Sequence, residues 1–244
     1  MKILFLSHYN EKLDWTDYLE DDIKIFIETK CKGEFRKDEF LFKRDAVVFK
    51  SENIGREAVT IARYYCQNTE DHVMFLQAFP LDVITLRHTS SQRKPRWMPF
   101  DPLSMEEEDK KLCCQKIHEC FRKSTSESVP ILTGFRKDFF PTGSYLRESY
   151  RKYLKLFVES YDETKEMTPY LPGAGFVRSP LKKEEIDSLS VRLKKIENWI
   201  ISEEKMTDIN DKIVDMSGAG HDYSKSVFLE RSWPVILQRD AVAI

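Results

Sequence analysis

The chain has 244 residues, of which 41% are hydrophobic, 33% charged and 12% aromatic, with a formal net charge of -2. That length suits one compact α/β domain, alone or with a sizeable helical insertion, and the apolar and aromatic content excludes a disordered chain. Nearly balanced acids and bases exclude a general nucleic-acid or membrane-surface binder, leaving only local basic clusters to meet phosphates.

Lys2 to Ser7 is a short apolar run that stops at the polar set His8-Tyr9-Asn10-Glu11, the pattern of a buried first strand ending at a functional edge. A short helix is expected at Asp14 to Leu19, then strands at Ile23 to Glu28 and Ala46 to Phe49. From Gly55 to Gln67, Ala58, Ile61, Ala62 and Tyr65 recur at helical spacing, with Asn53 as the expected N-cap. Val73 to Leu76 reads as a buried central strand running into Gln77-Ala78-Phe79-Pro80-Leu81-Asp82. Strand, helix and strand in this order predict a parallel sheet, whose ligands bind beyond the carboxyl ends of its strands.

Further on, Gln92 to Pro102 reads as a long loop, and Met105 to Lys123 and Ser144 to Glu159 as helices. Pro172 to Pro180 is a glycine turn feeding a short strand, and Lys182 to Ser202 an amphipathic helix. Gly218 to Lys225 reads as a polar loop, and a last helix holds Phe228 to Trp233 before Pro234. The expected architecture is one domain over 1–244, a mostly parallel central sheet flanked by helices, with a helical and loop insertion around 92–166.

The cysteines are Cys31, Cys66, Cys113, Cys114 and Cys120. An odd count without a secretory signal argues against a disulfide framework, and no stretch has the length of a membrane span. These features place the chain, as an expectation, in a reducing interior compartment, the cytoplasm. Cys113, Cys114, His118 and Cys120 lie within one helical pattern and lack paired C-x-x-C spacing, so they read as core residues rather than a zinc site.

Three constellations carry chemistry. Asn53-x-Gly55-Arg56-Glu57 opens a helix after a strand, where free N–H groups and partial positive charge suit a pyrophosphate or ribose. A capped helix with a surface ion pair accounts for the same residues equally well. Asp82, after Gln77, is placed to orient a sugar or hold a metal, or simply to cap the next helix. Glu230-Arg231-x-Trp233 offers a general base and a phosphate ligand, or a structural ion pair beside a core tryptophan. His221, Lys225 and Arg231 together could neutralise a diphosphate.

The series Ser-His-Tyr-Asn-Glu, Asn-x-Gly-Arg-Glu, Phe-Leu-Gln-x-x-Pro-x-Asp, Gly-Ala-Gly-Phe-Val-x-Ser and Glu-Arg-x-Trp-Pro resembles a glycosyltransferase-like family long known only as a domain of unknown function. The resemblance spans roughly Lys2 to Leu237, with about Gln92 to Glu166 unmatched. It implies an A-type, Rossmann-like glycosyltransferase domain moving a sugar from a nucleoside diphosphate, a UDP-sugar, to a carbohydrate hydroxyl with inversion. His8, Tyr9, Asn10, Asn53, Gly55, Arg56, Glu57, Gln77, His221, Lys225 and Arg231 would bind the donor. Gly173 and Gly175 would face the glycan acceptor; apart from the resemblance, Trp97 or Tyr170 could stack on an acceptor sugar ring. Glu230 would act as base, with Asp82 as runner-up. The family pattern continues after the glutamine with Gly and then Asn or Asp, where this chain has Ala78 and Phe79. Only Asp82 then remains locally for Mn²⁺ or Mg²⁺, and a metal-free site would rely on basic side chains. A catalytically inactive nucleotide- or carbohydrate-binding module is the alternative. A phosphatase-like or nucleotidyl-transfer enzyme is disfavoured by the lack of clustered carboxylates.

Overall fold

A computed structural model describes residues 1–54, 56–80, 105–124, 128–131, 145–159, 161, 175–208, 210–214, 221–237 and 240–243. In chain order the elements are β1 (Lys2–His8), a 3-10 turn (Asp14–Tyr18), β2 (Ile23–Thr29), β3 (Ala46–Lys50), α1 (Arg56–Tyr64) and β4 (His72–Gln77). There follow α2 (Glu107–Lys123), β5 (Ser128–Ile131), α3 (Tyr145–Phe157), β6 (Phe176–Arg178), α4 (Lys183–Ile201), α5 (His221–Leu237) and β7 (Asp240–Ala243). The strands form one sheet in the order β3-β2-β1-β4-β6-β5-β7. β1 runs parallel to β2 and β4, β2 to β3 and β5 to β7; β6 alone is antiparallel to its neighbours. The mostly parallel α/β sheet read from the sequence is therefore present. The 92–166 segment, expected as an insertion, supplies α2, β5 and α3, and β5 lies inside the sheet.

Alternation along β1 explains the layering. Ile3 and Phe5 point into one core with α1, α3, α4 and α5, whereas Leu4 and Leu6 point into another with α2 and the stretch around Leu13, Trp15 and Leu19. Side chains on a strand alternate between faces, so covering both faces demands an apolar residue at every position. This is why Ile3 to Leu6 reads as an unbroken apolar run. On the first face Phe5 stacks with Phe26, Phe75 and Tyr64, ring centroids 4.8, 5.6 and 5.1 Å away. Cys113, Cys114 and Cys120 are buried on the second face, as the sequence indicated, and burial pushes the Cys114 and Cys120 thiols up to about 12.

Two expectations are corrected, and β5 and β7 are strands with no counterpart among the elements read from the sequence. Gly218 to Lys225 is not wholly loop, because α5 begins at His221 and runs past Pro234 to Leu237. α1 begins at Arg56, so Asn53 stands three positions ahead of its first residue, outside the cap position, and is exposed.

Arg178, at the end of β6, is 1% exposed and acts as a clamp on the α1–β4 connection. Its guanidinium donates to the carbonyls of Gln67 (2.8 Å), Asn68 (3.0 Å), Asp71 (3.2 Å), Thr69 (3.5 Å) and Ser179 (3.0 Å). Asn68 has φ 50°, a left-handed conformation that asparagine tolerates, and it bends the connection around the arginine. Replacing Arg178 by Met would leave several carbonyls without a donor. Arg178→Met is expected to cost about 3 kcal/mol or more, read as a fall in the urea unfolding midpoint at unchanged slope.

Candidate functional site

The order of the strands fixes where a site can form. The chain passes from β1 outward to β2 and β3 on one side, then returns through α1 to β4 on the other. The reversal falls between β1 and β4, and open α/β sheets receive ligands at the carboxyl ends of the strands at such a point. Parallel pairing sets Ser7 opposite both Gln77 and Glu28, so three polar residues cross the sheet where its apolar rows end.

The loop after β1 is held from within. His8 is fully buried; its Nε2 lies 3.0 Å from the Glu11 carbonyl and its Nδ1 3.2 Å from Thr29 Oγ1. Donation from Nε2–H to that carbonyl leaves Nδ1 as the acceptor for the Thr29 hydroxyl. Phe35 and Phe40 meet the ring edge-on at 5.3 and 4.5 Å. Burial lowers the His8 pKa and keeps the ring neutral, with Glu11 opposing the shift. The Glu11 carboxylate accepts from the Tyr9 and Asn10 amides at 2.8 and 3.0 Å, tightening the loop and leaving Tyr9 exposed at its tip. Cys31 lies behind, with Sγ 3.7 Å from His8 Nδ1 and a hydrogen bond to the Tyr9 carbonyl; burial raises its thiol pKa.

On the other face a buried charge network holds α1 over the same edge. Glu28 is fully buried; it accepts from the Thr60 hydroxyl and from Arg63 Nη1 at 3.2 Å, and Lys30 Nζ lies 3.9 Å away. Arg63 also binds Glu197 at 2.8 Å, and Glu197 binds Lys194 at 2.7 Å. Burial opposes the charge on Arg63 and on Glu197. Their mutual contacts, with Lys194 and Glu28, outweigh it, raising the arginine pKa and lowering the carboxyl. β2, α1 and α4 are thereby tied together, and the first turn of α1, the positive end of its dipole, stands at the edge where β3 ends. Glu57 in that turn is buried.

Of the residues expected at the donor, the structure gathers His8, Tyr9, Asn10, Glu57 and Gln77 at this edge. Gln77 Nε2 donates to the Phe79 carbonyl at 3.0 Å. Gly175 directly precedes Phe176, which pairs with Phe75 of β4, so the glycine segment reaches the same side through the antiparallel strand. Gly55, Asp82, Trp97, Tyr170 and Gly173 lie outside the described residues. Arg56, His221, Glu230 and Arg231 lie on described helices, with only their backbones in the account.

Lys225 requires a correction. It is fully buried, and its ammonium donates to the Trp199 carbonyl (2.6 Å), the Ser202 carbonyl (2.9 Å) and Ser202 Oγ (3.1 Å), over the Trp199 ring. A lysine at these last carbonyls caps α4 and offsets the negative end of its dipole. It is a structural cation, not a diphosphate ligand. Ala78 and Phe79 are likewise core residues, and the Ala78 carbonyl accepts from Trp15 Nε1 at 3.0 Å. The position that the family pattern fills with Asn or Asp is therefore committed to apolar packing. Among the described residues no group of three or more His, Cys, Asp or Glu is placed to hold a metal ion, and no helix is long and apolar enough to cross a membrane. No family model matches the chain, and no curated protein matches it.

Two outcomes follow from this geometry. Lys225→Met should lower unfolding stability by about 1–3 kcal/mol, the cost of orphaned buried acceptors, read from the urea unfolding midpoint. For His8, burial depresses the folded pKa below the ordinary 6.5. The unfolded chain takes up its proton first as pH falls, so the stability tied to neutral His8 is complete above about pH 6.5 and declines below it. Urea unfolding at pH 7.5 and 5.5 should show a smaller acid loss for His8→Asn than for the parent chain.

Proposed function

We propose that the chain is a glycosyltransferase of the A-type fold. It takes its sugar from a uridine diphosphate donor lying across the carboxyl edge between β1 and β4, and passes it to a carbohydrate hydroxyl with inversion. The observation that carries this reading is the pairing of β1 with β4, which sets the His8–Glu11 loop and Gln77 side by side, with the first turn of α1 at the same edge. Tyr9, exposed on a loop pinned by Glu11 and His8, offers a ring to the base. The α1 N-terminus and Arg56 are assigned to the diphosphate, an anion suited to a helix N-terminus and a guanidinium.

In this reading Glu230 removes the acceptor proton as the acceptor oxygen bonds to the anomeric carbon. The bond from that carbon to the diphosphate breaks on the opposite face, and the nucleotide leaves with the electron pair. Two carboxylates near the edge are already engaged, Glu11 by two amides and Glu28 by Thr60 and Arg63. In this reading the leaving charge is met by the helix terminus, Arg56 and Arg231. The same engagement favours a second reading, a binding module that holds the nucleotide without turnover.

Thermal-shift screening against a panel of nucleotide sugars separates the two. Stabilisation by a UDP-sugar together with slow UDP release is expected of the enzyme, and stabilisation alone marks the binder. Glu230→Gln should keep donor binding within about threefold and lower transfer by a factor of 10² or more, the scale of a lost general base. A variant that transfers at the parent rate removes Glu230 from the mechanism.

A further inference from the structure

The opposite, amino edge of the sheet carries a groove of about 450 Å³, lined by Tyr18, Glu20, Lys111, Cys114, Gln115, His118 and Arg122. Its floor and one wall are α2; the other wall is the 3-10 turn and the link into β2. Lys111, Gln115, His118 and Arg122 fall at i, i+4, i+7 and i+11, one continuous face of the helix.

The charges along α2 are distributed unevenly. Lys110 is paired with Asp14 at 2.7 Å and Glu107 at 3.3 Å, Lys116 with Glu119 at 3.5 Å, and Lys123 with Glu119 at 2.8 Å. Lys111 and Arg122 have no carboxylate within ion-pair range among the described residues; Lys111 lies only over the Tyr18 ring, 5.8 Å from its centroid. The helix's two uncompensated cations are thus the two that line the groove. Glu20, the acid of the lining, gives its carboxylate to Lys2 at 2.8 Å, and Lys2 also binds Asp22 at 3.0 Å. The Glu20 amide donates to His118 Nε2 at 3.2 Å, which turns the ring's other nitrogen toward the Glu20 carboxylate, 3.6 Å away.

We propose that this groove binds the phosphoryl group of a small phosphorylated ligand, at a site separate from the sheet's carboxyl edge. Arg122 supplies a planar fork for phosphate oxygens and Lys111 a point charge, while Gln115 adds amide donors between them. About 16 Å of helix separates the two cations, and their long side chains can converge over Gln115 or take two phosphoryl groups of one ligand. The Tyr18 ring is a flat apolar surface beside Lys111, suited to the organic part. The volume falls within the range of small-molecule pockets.

The test is calorimetric titration of the full-length chain with inorganic pyrophosphate at low ionic strength, with the groove's share read from variants of its own cations. One saturable pyrophosphate site is expected. Lys111→Ala combined with Arg122→Ala should weaken it at least tenfold. Lys110→Ala combined with Lys123→Ala, which removes the same charge from paired positions, should change it less than twofold. Equal weakening in the two double variants, or no saturable binding by the parent, would overturn the proposal. A chain that ignores UDP but binds pyrophosphate in the groove leaves this site standing and removes only the donor reading.

Discussion

The hydrogen bonding of β1 on both edges, with both faces buried, constrains everything around it. Ile3, Leu4, Phe5 and Leu6 are each at most 1% exposed, and their backbones are paired to β2 and β4. A strand in that situation has no room for an unpartnered polar side chain, because burying one without a hydrogen bond costs several kcal/mol. Polar chemistry is therefore driven to the strand ends. His8 shows the transition: it is still buried, but its ring nitrogens both have partners, and one residue later Tyr9 is exposed. The apolar run and the polar loop that follows it are two consequences of one constraint.

Charge burial around the edge follows the same logic. Glu28 at the end of β2 is tolerable only because Arg63 and Thr60 reach it, and Arg63 is tolerable because Glu28 and Glu197 share it. Such a chain of pairs contributes less to net stability than its contacts suggest, since each ion gives up its hydration. Its effect is geometric. It fastens α1 to β2 and α4, and with them the first helical turn at the carboxyl edge. Lys225 does the corresponding work at the far end of α4, and Arg178 at the amino edge. Half-buried Arg63 and fully buried Lys225 and Arg178 hold the framework of the sheet and its helices.

The fold was legible where periodicity is strong. β1, β2 and β4 show continuous or alternating apolar runs, α1 and α4 carry helical stripes, and a parallel sheet followed from their order. β5 was missed because it is four residues long and contains Pro130, which argues against a paired strand, and β7 because it is equally short. The start of α5 resembles a loop in sequence because glycine, aspartate and serine favour turns locally; only the acceptors at the end of α4 make Lys225 a helical core residue. At the candidate site, the end of β1 and Gln77 were legible from their change of polarity. The network was not, since Arg63 lies 35 positions from Glu28 and 134 from Glu197. No local pattern joins residues so distant; only tertiary packing does.

The central claim is that the carboxyl edge between β1 and β4 receives a nucleotide. Hydrogen–deuterium exchange of the full-length chain with and without a UDP-sugar tests it most directly, because it reads each segment of that edge separately. Slowed exchange at 8–11, 51–54 together with 56–58, and 77–80 is the expected result. Protection confined to α2, or none at any of the three segments, would contradict it.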